Sequence, residues 1–185
     1  YLLSGEPGTG KTTLALQFLL EGERRGEPGL YVTLSETAEE LRSTAASHGW
    51  SLDEITLYEL CRVVQSSGLP AAQTLFHPSE VELNETTKGV LNVVERLRPQ
   101  RVVFDSLSEM RLLARDPLRY RRQILSLKQF FAGRGCTVLL LDDGSGNASD
   151  LQFESLAHGV IELEQLSPLY GLERRRMRVK KMRGI

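Results

Sequence analysis

Gly5-Glu6-Pro7-Gly8-Thr9-Gly10-Lys11-Thr12 satisfies the pattern GxxxxGK[ST], in which each residue type has a chemical duty. The glycines let the backbone curl so that successive N–H groups point inward, forming an anion cradle at the start of a helix. Lys11 sets a positive charge against the β- and γ-phosphates, and the Thr12 hydroxyl is a hard oxygen ligand for Mg²⁺. With glycine at about 7 % of residues, the pattern arises by chance in on the order of one chain in a hundred of this size. An apolar strand before it and an amphipathic helix after it make chance rarer still. The motif reads as a nucleoside triphosphate site.

Arg101-Val102-Val103-Phe104-Asp105 is an apolar strand that delivers a carboxylate at its C-terminal edge. A Walker B aspartate there supports Mg²⁺ through the metal's water shell. Many strands end in Asp at a turn, so Asp105 gains its meaning only beside Lys11 and Thr12. Asp142 and Asp143 follow another apolar run and fit two roles, a γ-phosphate sensor or a turn, since two acids repel a triphosphate unless an ion intervenes. His48, His77 and His158 lack metal-ligand spacing, and Cys61 has no neighbouring partner. Trp50 and Tyr58 read as core.

The elements that position these residues alternate, short apolar runs with amphipathic stretches, as in a parallel α/β sheet. Tyr1–Ser4 reads as the end of a strand whose beginning is cut away, and Thr12–Arg25 as a helix with Leu14, Ala15, Phe18 and Leu19 at helical spacing. Leu30–Leu34 and Ile55–Leu60 read as strands, with a helix between them opened by the capping-box pair Thr37 and Glu40 and running to about His48. Residues 62–80 contain Ser66, Ser67, Gly68, Pro70 and Pro78 and read as a loop or lid. A helix from about Glu82 to Leu97 ends before Pro99. Asp116 and Pro117 form an N-cap and first-position pair for a helix burying Tyr120, Ile124, Leu127 and Phe131. Thr137–Leu141 is a further strand, Gly144–Ser149 a flexible loop, and Gly159–Glu164 and Arg174–Lys181 the last strands.

The 185 residues, 41 % hydrophobic and 25 % charged, suffice for one domain with a real core and argue against disorder or a fibre. No apolar run approaches the roughly 18 residues of a membrane span. Two cysteines, Cys61 and Cys136, fit a reduced, cytoplasmic protein. The start at Tyr1, without methionine or leader, reads as a single domain, residues 1–185, excised from a longer chain. The net charge of −1 conceals an asymmetry: Arg174, Arg175, Arg176, Arg178, Lys180, Lys181 and Arg183 crowd the last twelve residues. Without them, 16 basic face 24 acidic side chains, about −8, a poor surface for nucleic acid.

Four blocks in order, GEPGTGKTTLALQFL, YVTLSETAEELRSTAASHGW, VVFDSL and VKKMRG, resemble the KaiC-like branch of the RecA-type ATPases over nearly the whole chain. The resemblance implies an α/β RecA-type P-loop NTPase core, a mainly parallel twisted sheet flanked by helices with antiparallel C-terminal strands. The strand Thr137–Leu141 would lie between the P-loop strand and the acid strand. It also implies a ring, usually a hexamer, with ATP and Mg²⁺ between neighbouring subunits. Carried over by position, Gly8, Thr9, Gly10, Lys11, Thr12 and Thr13 cradle the phosphates, and Thr12 and Asp105 serve the metal. Lys181 and Arg183 match the closing K-x-R-G segment, whose cations reach the γ-phosphate on the adjacent subunit, as an arginine finger does. The alternative for that segment is a solvated edge strand, with Arg176, Arg178 and Lys180 on one face and Met177 and Val179 on the other.

One position departs from the family. Where RecA-type ATPases carry a glutamate that orients or deprotonates water, after the second strand, this chain has Ser35-Glu36. A serine cannot serve as base at neutral pH. Glu36 serves if the backbone turns it inward; otherwise it is an acid favoured by the following helix dipole. The leading expectation is a regulatory or signalling ATPase of slow turnover acting with a protein partner, autokinase activity being left open. The alternatives are a nucleotide-binding switch or scaffold with little turnover and a recombinase-like DNA-dependent ATPase, the latter opposed by the acidic body. Neither a membrane nor a circadian role is implied, since one fold hosts many functions.

Overall fold

The computed structural model describes residues 1–60, 78–114, 116–144, 154–167 and 170–184. Seven strands form one sheet: β1 (Leu2–Gly5), β2 (Gly29–Thr33), β3 (Thr56–Glu59), β4 (Arg101–Asp105), β5 (Thr137–Asp142), β6 (Gly159–Leu166) and β7 (Arg174–Met182). Their order is β3-β2-β4-β5-β1-β6-β7, all neighbours parallel except the antiparallel pair β6–β7. β5 therefore separates the P-loop strand β1 from the acid strand β4, as the resemblance implies. Among the described residues, the strands are joined by α1 (Lys11–Arg24), α2 (Ala38–Ser47), α3 (Pro78–Leu97), α4 (Leu107–Ala114) and α5 (Pro117–Phe131).

The central strands are apolar on both faces because helices cover both. Leu30, Val32, Val102 and Phe104 join one core with Met110, Tyr120, Ile124 and Phe131 from α4 and α5. Their neighbours Tyr31 and Val103, with Leu3, Leu139 and Leu141, join the other with Ala15, Leu16, Leu19 and Leu41 from α1 and α2. Alternation along a strand thus decides which helix layer each side chain meets. Trp50 packs on the α1 side and Tyr58 on the opposite core.

The start signals act as the sequence reading expects. Thr37 accepts from the Glu40 backbone at 3.2 Å, and the Glu40 carboxylate accepts from the Thr37 N–H at 2.7 Å. Asp116 caps α5, with its carboxylate accepting from the Leu118 N–H at 3.1 Å. Two readings need correction. α3 begins at Pro78, so residues 78–80 are helical and not loop; proline fits a first helical turn, whose N–H groups need no intrahelical partner. α4, carried by Leu107, Met110 and Ala114, was not anticipated at all. The rest of the supposed lid, residues 62–77, and Ser145–Ser149 of the supposed loop lie outside the described residues.

Candidate functional site

The segment Glu6–Gly10 turns from β1 into α1 at the C-terminal edge of the sheet. Gly8 and Gly10 adopt φ of 85° and 99°, a left-handed backbone that a side chain disfavours, and Gly10 is the N-cap of α1. Thr9 braces the turn, its hydroxyl donating to the Glu6 carbonyl at 2.7 Å. Lys11 is buried at 8 % exposure, and its ammonium is fully engaged. It donates to the Gly5 carbonyl at 2.7 Å and the Glu6 carbonyl at 3.0 Å, and pairs with Asp143 Oδ1 at 3.0 Å.

Sheet register brings the acid to this corner. β2 and β4 pair with Tyr31 opposite Val103 and Thr33 opposite Asp105. Asp105 lies two residues beyond Val103, so it shares the face of Tyr31, the face that α1 covers. The buried Tyr31 phenol donates to Asp105 Oδ2 at 2.5 Å. Burial and the Asp105 charge drive the phenol's pKa far above its ordinary value, keeping it a donor. Asp105 itself sits above the ordinary carboxylate range, chiefly through burial and also through Asp143; Tyr31, Lys11 and Thr12 pull the other way. Lys11, Thr12 and Asp143 thus all act on the Asp105 carboxylate, and Lys11 meets Asp143 directly at 3.0 Å. A threonine hydroxyl beside a buried carboxylate is a hard-oxygen donor set, which fits Mg²⁺.

Glu36 turns inward. Its backbone N–H donates to Thr33 Oγ1 at 2.9 Å, and the Thr33 hydroxyl donates back to the Glu36 carbonyl at 2.8 Å, curling the chain at the end of β2. Ser35 consequently faces solvent while Glu36 is half-buried. Its Oε2 is buried with no hydrogen-bond partner among the described residues. Burial, then the Asp105 and Glu40 carboxylates, raise the Glu36 pKa. A carboxylate held in this way is short of a donor.

Asp142 and Asp143 both pair with basic side chains, Asp143 with Lys11 and Asp142 with Arg111. Arg111 of α4 holds Asp142 at 3.1 and 3.2 Å. Ser108 donates to Asp143 Oδ2 at 2.9 Å and accepts from the Asp143 N–H at 3.2 Å. No spacing marks Ser108, Arg111 or Tyr31 as site residues, because their partners lie 31 to 74 positions away.

Lys181 and Arg183 lie elsewhere. β7 runs antiparallel to β6, with Lys181 opposite Val160, and Val160 pairs with Leu2 at the beginning of β1. Both cations are therefore at the N-terminal end of the parallel strands, while the phosphate loop leaves the C-terminal end. Lys181 donates to the Glu154 and Ser155 carbonyls at 2.6 and 3.1 Å, and Arg183 to the Ser155 carbonyl at 2.8 Å. The middle of β7 has its charges matched across the hairpin: Arg178 with Glu162 and Glu164, both at 2.8 Å, and Lys180 with Glu154 at 2.7 Å. Met177 and Val179 are exposed. A register shift between Val160 and Ile161 leaves Lys180 without a partner position in the ladder.

This sheet order, with a GxxxxGKT turn on β1 and an acid ending β4, defines a P-loop NTPase core of the RecA type. The family model described as the KaiC ATPase matches residues 1–185, and the chain belongs to that family. A UPF0273 protein of Pyrococcus horikoshii is 31 % identical over 191 residues, covering 99 % of this chain and 76 % of the relative. The UPF0273 protein of Thermotoga maritima is 30 % identical, covering 99 % and 78 %. The crystal structure of a KaiC-like protein from Pyrococcus horikoshii OT3 matches with a TM-score of 0.76 at 29 % identity, covering 99 % of this chain and 79 % of that one. Family membership supports ATP binding. Among the described residues no helix is long and apolar enough to cross a membrane.

Proposed function

We propose that the chain binds ATP with Mg²⁺ in the Gly8–Thr13 cradle and hydrolyses it slowly, as a subunit of a ring that couples nucleotide state to a regulatory partner. The observation that carries hydrolysis over mere binding is Glu36, turned inward with a buried carboxylate oxygen that has no donor among the described residues. A water molecule satisfies that oxygen and is thereby aimed at the site. The raised pKa makes the carboxylate a better proton acceptor than an exposed glutamate. Lys11 exchanges its present partners for phosphate oxygens. Thr12 and, through water, Asp105 would hold Mg²⁺, which neutralises phosphate charge. Tyr31 fixes one Asp105 oxygen and leaves the other for that duty.

Lys181 and Arg183 act on a neighbour's phosphate and not on their own, since the sheet separates them from their own loop. They complete the charge around the transferring phosphoryl group only on assembly. The direct test is ATP turnover and particle mass measured together on wild type and Glu36→Gln. Loss of turnover with the assembly intact supports the reading. A wild type that binds and assembles without turnover overturns it in favour of a nucleotide-gated switch, and Ser35→Glu restoring hydrolysis would locate the defect.

A further inference from the structure

Lys11 holds its usual position at the mouth of the cradle, yet the site it would offer to a phosphate is already taken. An ammonium has three protons, and here two meet the Gly5 and Glu6 carbonyls and the third meets Asp143. Asp143 is the single anion of the three partners, so it stands where an anionic phosphate oxygen would stand. It is not there by accident of a wandering side chain. Ser108 grips both its carboxylate and its backbone N–H. The next residue, Gly144, lies against the P-loop strand, with a Cβ built on it only 3.6 Å from the Gly5 nitrogen. Asp142, one residue earlier, is buried and tied to Arg111, which fixes the strand end from which Asp143 projects. Asp143 is nevertheless 44 % exposed on its side chain, so it has solvent to retreat into.

We propose that Asp143 is an internal competitor of the nucleotide: it neutralises Lys11 in the empty site, and triphosphate binding must expel it. Expulsion strains or breaks the grip of Ser108, so occupancy of the cradle is felt at α4. This rests on the nucleotide-binding reading above. The protein would then give up affinity in exchange for a Lys11 held in place by its own chain.

The test is titration of fluorescent ATP and ADP analogues, with Mg²⁺, into wild type, Asp143→Asn and Ser108→Ala, alongside thermal melts of the empty proteins. Asn keeps the shape and the Ser108 contacts but carries no charge. Expected are an affinity for the ATP analogue about 2- to 5-fold tighter in Asp143→Asn, the order of an exposed-to-half-buried ion pair, and a smaller gain in Ser108→Ala. The empty Asp143→Asn protein should melt lower than wild type, while its nucleotide-induced rise in Tm is larger. Unchanged or weaker ATP-analogue binding in Asp143→Asn overturns the proposal and makes the acid a helper of the bound state. Absence of binding by wild type and both variants overturns this inference together with the nucleotide reading, and so is told apart from failure of the competitor alone.

Discussion

Replacing Tyr31 by Phe removes one oxygen from a fully buried position and leaves the ring that packs against α1. The phenol donates to Asp105 Oδ2 at 2.5 Å. A hydrogen bond to a charged partner contributes about 1.5–3 kcal/mol, and neither group is exposed enough for solvent to screen it. At about 2–4 °C per kcal/mol for a chain of this size, Tm should fall by about 3–12 °C. Thermal and urea unfolding at neutral pH measure this, and the decisive control is the same substitution in an Asp105→Asn background. There the amide still accepts from the phenol but carries no charge, so the loss should shrink to about 0.5–1.5 kcal/mol. A loss below about 0.5 kcal/mol, or losses equal in the two backgrounds, refutes the argument that the phenol serves the carboxylate and not the packing.

Glu36→Gln should stabilise the fold at neutral pH. The native pKa of Glu36 is raised, so its ionisation opposes folding: the penalty is absent below the ordinary carboxylate pKa of about 4.3 and grows as pH rises through the native value. Urea melts across pH should therefore show a gain that vanishes in acid. Gly5→Ala would drive a Cβ to 2.5 Å from the Leu163 carbonyl and 2.8 Å from Thr9 Oγ1. Overpacking of that kind costs about 1–3 kcal/mol, and both the melting temperature and ATP-analogue binding should fall. Lys11→Ala and Arg183→Ala should each abolish turnover alone. Mixed and reassembled in equal amounts they should recover about a quarter of wild-type sites if the cation acts across a head-to-tail contact, and none if it acts within one chain.

Much of the architecture was legible because local chemistry and global fold agree. The P-loop residues need a strand before and a helix after, and the Thr37–Glu40 and Asp116–Pro117 pairs announce helix starts in short-range hydrogen bonds that act as read. α4 escaped notice because it is 8 residues long and follows the acid strand after a single intervening residue, leaving too few turns for periodicity to stand out. The direction of Glu36 was undecidable from alternation, since the Thr33 hydroxyl bonds that curl the chain break the strand period. Tyr31 as a site residue, and the partners of Asp143, were illegible for another reason. Their partners are set by register between β2 and β4 and by the seating of β5 beside β1, long-range facts that no spacing along the chain encodes. The family resemblance carried the place of β5 between β1 and β4; it did not carry these contacts.

The placement of β7 has a consequence for how many sites work in any assembly. The strand runs against its neighbours, so its closing cations and the phosphate loop sit at opposite ends of one subunit. A contact that joins one end to the other is directional and repeats in a single sense. An open row of such subunits, however long, always has a first member whose loop meets no donor and a last member whose cations meet no phosphate. Closure alone removes both defects. On the proposed function, the last subunit to join would therefore complete two sites at once, making loss of one subunit cost twice what its own nucleotide would suggest.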